Sequence, residues 1–207
     1  MAIRKEDLYA KQDSARIYTH EEYMKLDYAD GIPRFELIDG QIYFMTAPSG
    51  EHQEISMNLS REISTHLKGK KCKVFAAPFA VNLEQGKGRD TTVQPDLVVV
   101  CDPNKLDSRG CNGAPDVVIE ILSPSTAKHD MGIKQRKYQK AGVQEYWIVS
   151  PDMRTVQQYT LKDGLYFANS YVGDEIVTSN VLQDLKIPLA EIFPPEIGGE
   201  ANQQEED

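Results

Sequence analysis

Apolar positions along the chain fall into short blocks whose spacing alternates between the two-residue period of strands and the near-four period of helices. Thr19-His20-Glu21-Glu22 has the form of a capping box, and Tyr23 and Leu26 give the short helix after it an apolar side. Phe35 to Phe44 reads as a hairpin, because Asp39-Gly40 between two apolar strands suits a type I′ turn. Ile55, Leu59, Ile63 and Leu67 recur every fourth residue, predicting a helix over 49–67 that stops at Gly69. Strands are expected at 72–76 and 79–83, then a glycine- and charge-rich loop over 84–92. The stretches 97–101 and 117–122 are apolar on both faces, as central strands covered from both sides are. A helix over 125–141 ending at Gly142 and a strand at 145–149 complete a strand–helix–strand unit, expected to be a right-handed parallel crossover. A second hairpin, 155–161 with 165–171, turns on Asp163-Gly164, and Leu189 to Phe193 forms a last short turn. The expected architecture is α/β: a central mixed sheet with helices on its faces, one domain over 17–193. A polar extension, 1–16, precedes it, and an acidic tail, 194–207, expected to be disordered, follows.

Composition narrows the class. The 207 residues are 40% hydrophobic and 27% charged, enough for one ordinary core and unlike collagenous or low-complexity chains. The longest purely apolar run, Leu97 to Cys101, is far short of a bilayer span, and no membrane partner is expected. The opening MAIRKEDLYAKQD lacks the apolar stretch of an export signal, so the expected location is cytoplasmic. Cys72, Cys101 and Cys111 form no CxxC pair, and the expectation is three small thiols without a disulfide or a metal role.

The chemistry lies in charges that interrupt apolar strands. Glu120 stands inside an otherwise apolar run, where an uncompensated carboxylate would cost several kcal/mol. A proton, a side-chain cation or a metal ion must therefore face it. Asp96 enters the neighbouring apolar strand directly after Pro95, and adjacent strands would bring the two acids to one point. Such a pair suits a hard divalent cation, Mg²⁺ or Mn²⁺, and serves general acid–base work equally well. On the following helix Met131, Lys134, Tyr138 and Ala141 form one apolar stripe, which places Lys134 where a core residue belongs. Glu120 lies ~7 Å back from its strand end and Lys134 ~10 Å along its helix, so the ammonium can point at the carboxylate. The same spacing also serves a plain buried ion pair, with Lys128, Arg136, Lys137 and Lys140 as a solvated face.

Val93-Gln94-Pro95-Asp96-Leu97, the segment from Ala114 to Thr126, Lys134 to Tyr138 and the segment from Ala141 to Val149 together closely resemble the Uma-two-like restriction endonucleases of the PD-(D/E)XK nuclease superfamily. The likeness runs upstream through Arg34 to Gly40 and Ala47-Pro48-Ser49, downstream through Ala190 to Phe193, and covers roughly 17–193. It implies the restriction-endonuclease-like fold, Asp96 and Glu120 as metal-binding carboxylates, the backbone carbonyl of Ile121 as a further ligand and Glu36 as an auxiliary acid. The lysine usual two residues after the second acid is absent, since that position is Leu122, and Lys134 on the next helix fits its place. Ser150 stands where many relatives carry Asp before Pro.

The implied activity is Mg²⁺- or Mn²⁺-assisted phosphodiester hydrolysis on DNA, with Lys134 orienting a water or stabilising developing charge. Glu120→Gln and Lys134→Ala are expected to abolish cleavage with the fold intact. The rival reading is a catalytically silent nucleic-acid- or protein-binding module on the same fold. A nucleotide or sugar substrate for the carboxylates is a third. Double-strand cleavage would suit a symmetric homodimer. His20, His52, His66 and His129 lack metal-ligand spacing; His52, at a helix start near the Ala47-Pro48-Ser49 loop, could line a groove, but a surface or capping role is the expectation. Trp147 reads as core, the hydroxyls of 123–126 as helix caps, and Lys68, Lys70, Lys71 and Lys73 as a second basic cluster. The formal charge of -9 does not exclude DNA. Five acids and no base lie in the tail from Pro194, while 128–140 carries five bases against Asp130. Weak, salt-sensitive, metal-dependent binding at that basic face is the expectation.

Overall fold

Local chemistry sets the first elements. In the computed structural model, which describes residues 16–27, 34–84, 90–123 and 129–195, Thr19 and Glu22 close a reciprocal cap. The Thr19 hydroxyl accepts the Glu22 N–H at 3.2 Å, and the Glu22 carboxylate accepts the Thr19 N–H at 3.0 Å. This opens α1 (His20–Asp27), whose Tyr23, Met24 and Leu26 are buried with Phe35 and Leu37. Asp39 and Gly40 take φ of 52° and 76°, the paired left-handed geometry of a type I′ turn, between β1 (Phe35–Ile38) and β2 (Gln41–Phe44). Ser49 caps α2 (Gly50–Leu67) by accepting the His52 N–H.

The strands make two principal sheets where the hydrophobic pattern suggests one. The first has the order β2-β1-β5-β4-β7, with β4 (Ala80–Glu84), β5 (Thr91–Val93) and β7 (Gly110–Asn112). The second contains β3 (Lys73–Ala76), β6 (Leu97–Val100), β8 (Val117–Ile121), β9 (Glu145–Ser150), β10 (Thr155–Lys162) and β11 (Leu165–Tyr171), in the order β11-β10-β9-β8-β6-β3. Both are mixed: β4 runs parallel to β7 and β8 parallel to β9. A separate pair, β12 (Ile176–Thr178) and β13 (Lys186–Pro188), leads into α4 (Leu189–Ile192). Strands of three residues, such as β5, β7, β12 and β13, are too short to show a period of two, which is why the first sheet and the separate pair are hidden in the sequence.

Alternation along the central strands then assigns each face. Leu97, Val99, Val117, Ile119, Trp147 and Val149 pack under Ile55, Leu59, Ile63 and Leu67 of α2. Val98, Val100, Val118, Tyr146 and Ile148 face Ile38, Val81, Leu83 and Val93 of the first sheet. Glu120 belongs by parity to this second face, so its carboxylate enters the seam between the sheets.

The helix after β8 departs from the expected stripe. A π-helical turn, His129–Lys134, precedes α3 (Gln135–Ala141), which stops at Gly142 with φ of 92°. The wider π turn shifts the phase, so Asp130, Lys134 and Tyr138 are buried, while Met131 turns outward, 52% exposed. Another departure is the disulfide between Cys72 and Cys101, which overturns the expectation of three thiols. β3 and β6 pair Lys73 with Val100, so one residue further the two cysteines stand opposite each other. Cys111 remains a thiol, and burial pushes its pKa up to about 11.

Glu145 at the head of β9 is fully buried. It accepts the Asn180 and Val181 N–H groups, the Ser179 hydroxyl, the Trp147 indole N–H and the Gln158 amide. The extension up to Ala15, the loop at 85–89, residues 124–128 with Lys128 and the expected helix start, and the tail from Glu196 lie outside the described residues. No helix among the described residues is long and apolar enough to cross a membrane.

Candidate active site

The β6–β8 register assembles the two strand acids. Leu97 pairs with Ile119 in antiparallel fashion, which sets Asp96, just ahead of β6, opposite Glu120. Asp96 Oδ2 accepts the Ile121 N–H at 2.8 Å, so the strand backbone fixes its carboxylate.

Glu120 is 3% exposed, and its Oε1 accepts two side-chain hydrogen bonds, from Lys134 Nζ at 3.0 Å and from the Tyr138 hydroxyl at 2.7 Å. Lys134 Nζ also lies 2.9 Å from Glu36 Oε2 and 3.2 Å from Asp130 Oδ1. The other oxygen of Glu36 accepts the Gln94 N–H at 2.8 Å. One buried ammonium thus meets three buried carboxylates, carried by β1, β8 and the π turn. Asp96 lies beside them, paired with His52 and the Ile121 N–H, so three acids share one lysine and a fourth stands next to the cluster.

That imbalance governs the electrostatics. Burial raises the Glu120 pKa well above the carboxylate range; Lys134 opposes this, while Asp130, Asp96 and Glu36 add to it. Burial alone would lower the Lys134 pKa, but the charges of Glu120, Glu36 and Asp130 outweigh it and hold the ammonium well above its ordinary value. Burial followed by the Glu120 and Glu36 charges likewise raises Tyr138, keeping its proton available to Glu120.

His52 corrects the surface or capping role expected for it. It is 7% exposed in the first turn of α2, with Nε2 3.3 Å from Asp96 Oδ2. Burial pulls its pKa down, but the hydrogen bond and charge of Asp96, with the Ile121 carbonyl, bring it net upward. The basic face of α3 is also corrected. Lys137 is paired with Asp39 and Glu84, and Lys140 with Glu84 at 2.6 Å, so two of its four expected cations are already matched by acids of β2's turn and β4. Lys68, Lys70, Lys71 and Lys73 stay exposed, and Trp147 is core.

Of the residues singled out from the sequence, Glu36, Glu120 and Lys134 are in direct contact, and Asp96 joins them through the Ile121 backbone. Asp130, Tyr138 and His52 complete the constellation. Asp130 and Lys134 stand at i and i+4, a spacing that signals pairing on a helix. Tyr138 already shares the stripe of Lys134. The site opens on a groove of about 660 Å³ lined by Ala47 to Ser49, His52, Asp96, Glu120 and Lys134, among others.

Among the described residues, no group of three or more His, Cys, Asp or Glu side chains is spaced to hold a metal by itself. Mg²⁺ needs less, since it keeps several waters and takes one or two carboxylates. Among the described residues Oε2 of Glu120 and Oδ1 of Asp96 have no hydrogen-bond partner, and both acids line the groove. Two open carboxylate oxygens beside excess buried negative charge fit a hard divalent cation.

Comparison with known proteins gives the family and the fold. The family model Uma2, described as "Putative restriction endonuclease", matches residues 20–190. The chain belongs to the Uma2 family. An uncharacterized protein of Synechocystis sp. (strain ATCC 27184 / PCC 6803 / Kazusa), slr1290, is 32% identical over 144 residues, 69% of this chain and 74% of its own. A second from the same organism, sll1609, is 23% identical over 149 residues, 70% of this chain and 82% of its own. The crystal structure of a "putative nuclease belonging to DUF820" from Anabaena variabilis ATCC 29413 superposes with a TM-score of 0.70 at 23% identity, covering 84% of this chain and 97% of that one. The Uma2 chain therefore has the mixed α/β, restriction-endonuclease-like fold of that neighbour, with two principal sheets.

Proposed function

We propose that this Uma2 protein hydrolyses phosphodiester bonds in DNA with Mg²⁺ or Mn²⁺ as cofactor. The observation that carries the reading is the buried cluster of Glu36, Glu120 and Asp130 around Lys134, joined by Asp96 at the floor of an open groove. Asp96, Glu120 and the Ile121 carbonyl would hold the cation, which when bound supplies charge neutralisation at the phosphate and a lowered pKa for a water.

The protein's own groups prepare that place. Tyr138 and Lys134 both donate to Oε1 of Glu120, which orients the carboxylate and leaves Oε2 toward the groove. Glu36 and Asp130 hold the ammonium of Lys134 in position, where it stabilises negative charge developing on the phosphate. His52 and the Ile121 N–H fix Asp96. A preset polar site of this kind needs little reorganisation during reaction.

The saturated state of Lys134, with three acids on one ammonium, supports the rival reading of a silent binding module whose cluster is structural. Titration of the full chain with Mn²⁺ by calorimetry, then incubation with plasmid, linear and single-stranded DNA, separates the two. The nuclease reading expects metal binding and cleavage, both lost in Glu120→Gln. Absence of metal binding in the native protein would reject it in favour of the silent module.

A further inference from the structure

The groove is an unfavourable place for a polyanion. Glu51, Asp96, Glu120, Asp130 and Asp152 line it, and the Lys134 ammonium is already shared among three carboxylates. Arg34, immediately before β1, is the other lysine or arginine on its wall. Among the described residues no carboxylate pairs with it. Its Nε and Nη2 lie 3.3 Å and 3.2 Å from one neutral acceptor, Oε1 of Gln94.

That seat is built. Gln94 is 3% exposed. Its N–H donates to Glu36 at 2.8 Å and its amide donates to the Tyr23 hydroxyl at 2.9 Å. The arginine is therefore tied, through one glutamine, to the acid that holds Lys134. A guanidinium carries five N–H donors in a rigid fork. Two are directed at Gln94, and the rest remain on an exposed side chain at the groove wall. A planar cation with unspent donors matches a phosphate.

We infer that Arg34 binds a backbone phosphate of the DNA strand in the groove, held in register with the acid cluster by Gln94. The inference rests on the nuclease reading of the same site. It assigns to this one residue the offset of groove acidity that the paired bases of α3 do not supply.

The test uses fluorescence anisotropy with a labelled duplex oligonucleotide, Ca²⁺ replacing Mg²⁺ so that binding is read without turnover, on the full-length native protein as parent, over a range of KCl concentrations. Adding Arg34→Gln should weaken binding alike for unrelated sequences and reduce the slope of log K against log salt by about 0.9, one phosphate contact's worth. Arg34→Lys should keep the parent's slope, since the charge remains, while binding weakens through loss of the fork. Equal thermal midpoints of the variants show that the fold is unchanged, and the lysine variant carries the test if the glutamine variant does not fold. A parent that binds with a slope unchanged by Arg34→Gln would overturn the role of Arg34 and leave the nuclease reading standing. A native protein that binds no DNA with the divalent cation present would overturn both.

Discussion

Two glutamates buried on neighbouring strands, Glu120 on β8 and Glu145 on β9, have opposite surroundings. Glu145 is wrapped by neutral donors: two backbone N–H groups, a hydroxyl, an indole and an amide. Its charge is solvated by the protein much as water would solvate it, and its oxygens knit the 179–181 segment to the sheet. Glu120 instead receives one lysine and one tyrosine, with Asp96, Glu36 and Asp130 acting against its charge. Burial by itself therefore does not mark function. A carboxylate whose donors match its charge is architectural, whereas one crowded by like charge and left with an open oxygen on a groove is arranged for something the chain does not itself contain.

The sharpest way to break this contrast is to exchange carboxylate for amide at both positions. Glu120→Gln should lower Mg²⁺-dependent DNA cleavage at least about a hundredfold with no loss of thermal stability. Its carbonyl can still accept from Lys134 and Tyr138, and one like charge has gone. Glu145→Gln turns an NH₂ against groups that are all donors, and should cost about 2–3 kcal/mol in urea unfolding with cleavage per folded molecule unchanged. Crossed results, with Glu145→Gln inactive but stable, would reverse the assignment.

Lys134 links both themes. The three acids around it alter what Lys134→Ala is expected to do. Beyond losing cleavage, the variant leaves buried carboxylates without their cation, and unfolding should be easier by about 3–5 kcal/mol. Adding Glu36→Gln should recover part of that loss, as measured by denaturant titration. A fully stable Lys134→Ala would mean that the cluster is protonated or open to water, and the charge imbalance would no longer explain the site.

The same contrast accounts for what the sequence reveals. Glu120 is legible because a charge breaks an apolar strand, and Lys134 because it breaks an apolar stripe. Glu145 is the first residue of its strand, where an acid is ordinary, and three of its donors lie 34, 35 and 36 residues further on. His52 sits in a first helical turn, which reads as surface until α2 is docked across the end of β6. Asp130 is concealed by the π turn, since the phase of burial there is not that of an α-helix. The Cys72–Cys101 bond depends on strand register alone, which no local pattern encodes. Capping and turn motifs, whose chemistry is complete within four residues, are legible nearly atom by atom at Thr19–Glu22 and Asp39-Gly40.

The capping box also gives the smallest and most local test. Glu22 is a carboxylate matched by donors, like Glu145, but at the surface. The Thr19 N–H, more than the Arg16 side chain, lowers its pKa, against a smaller upward effect of burial. A carboxylate whose folded pKa lies below its unfolded one contributes stability at pH above the unfolded value, and the contribution disappears as pH falls through the folded value. Glu22→Gln should therefore lower the thermal midpoint slightly at neutral pH, by an amount of the order of a cap, about 1 kcal/mol or less. The difference from the native chain should close as the pH drops below the carboxylate range. A constant gap across the whole pH series would show that α1 is held by Tyr23 and Leu26 against Phe35 and Leu37, with no measurable part for the charge of its cap.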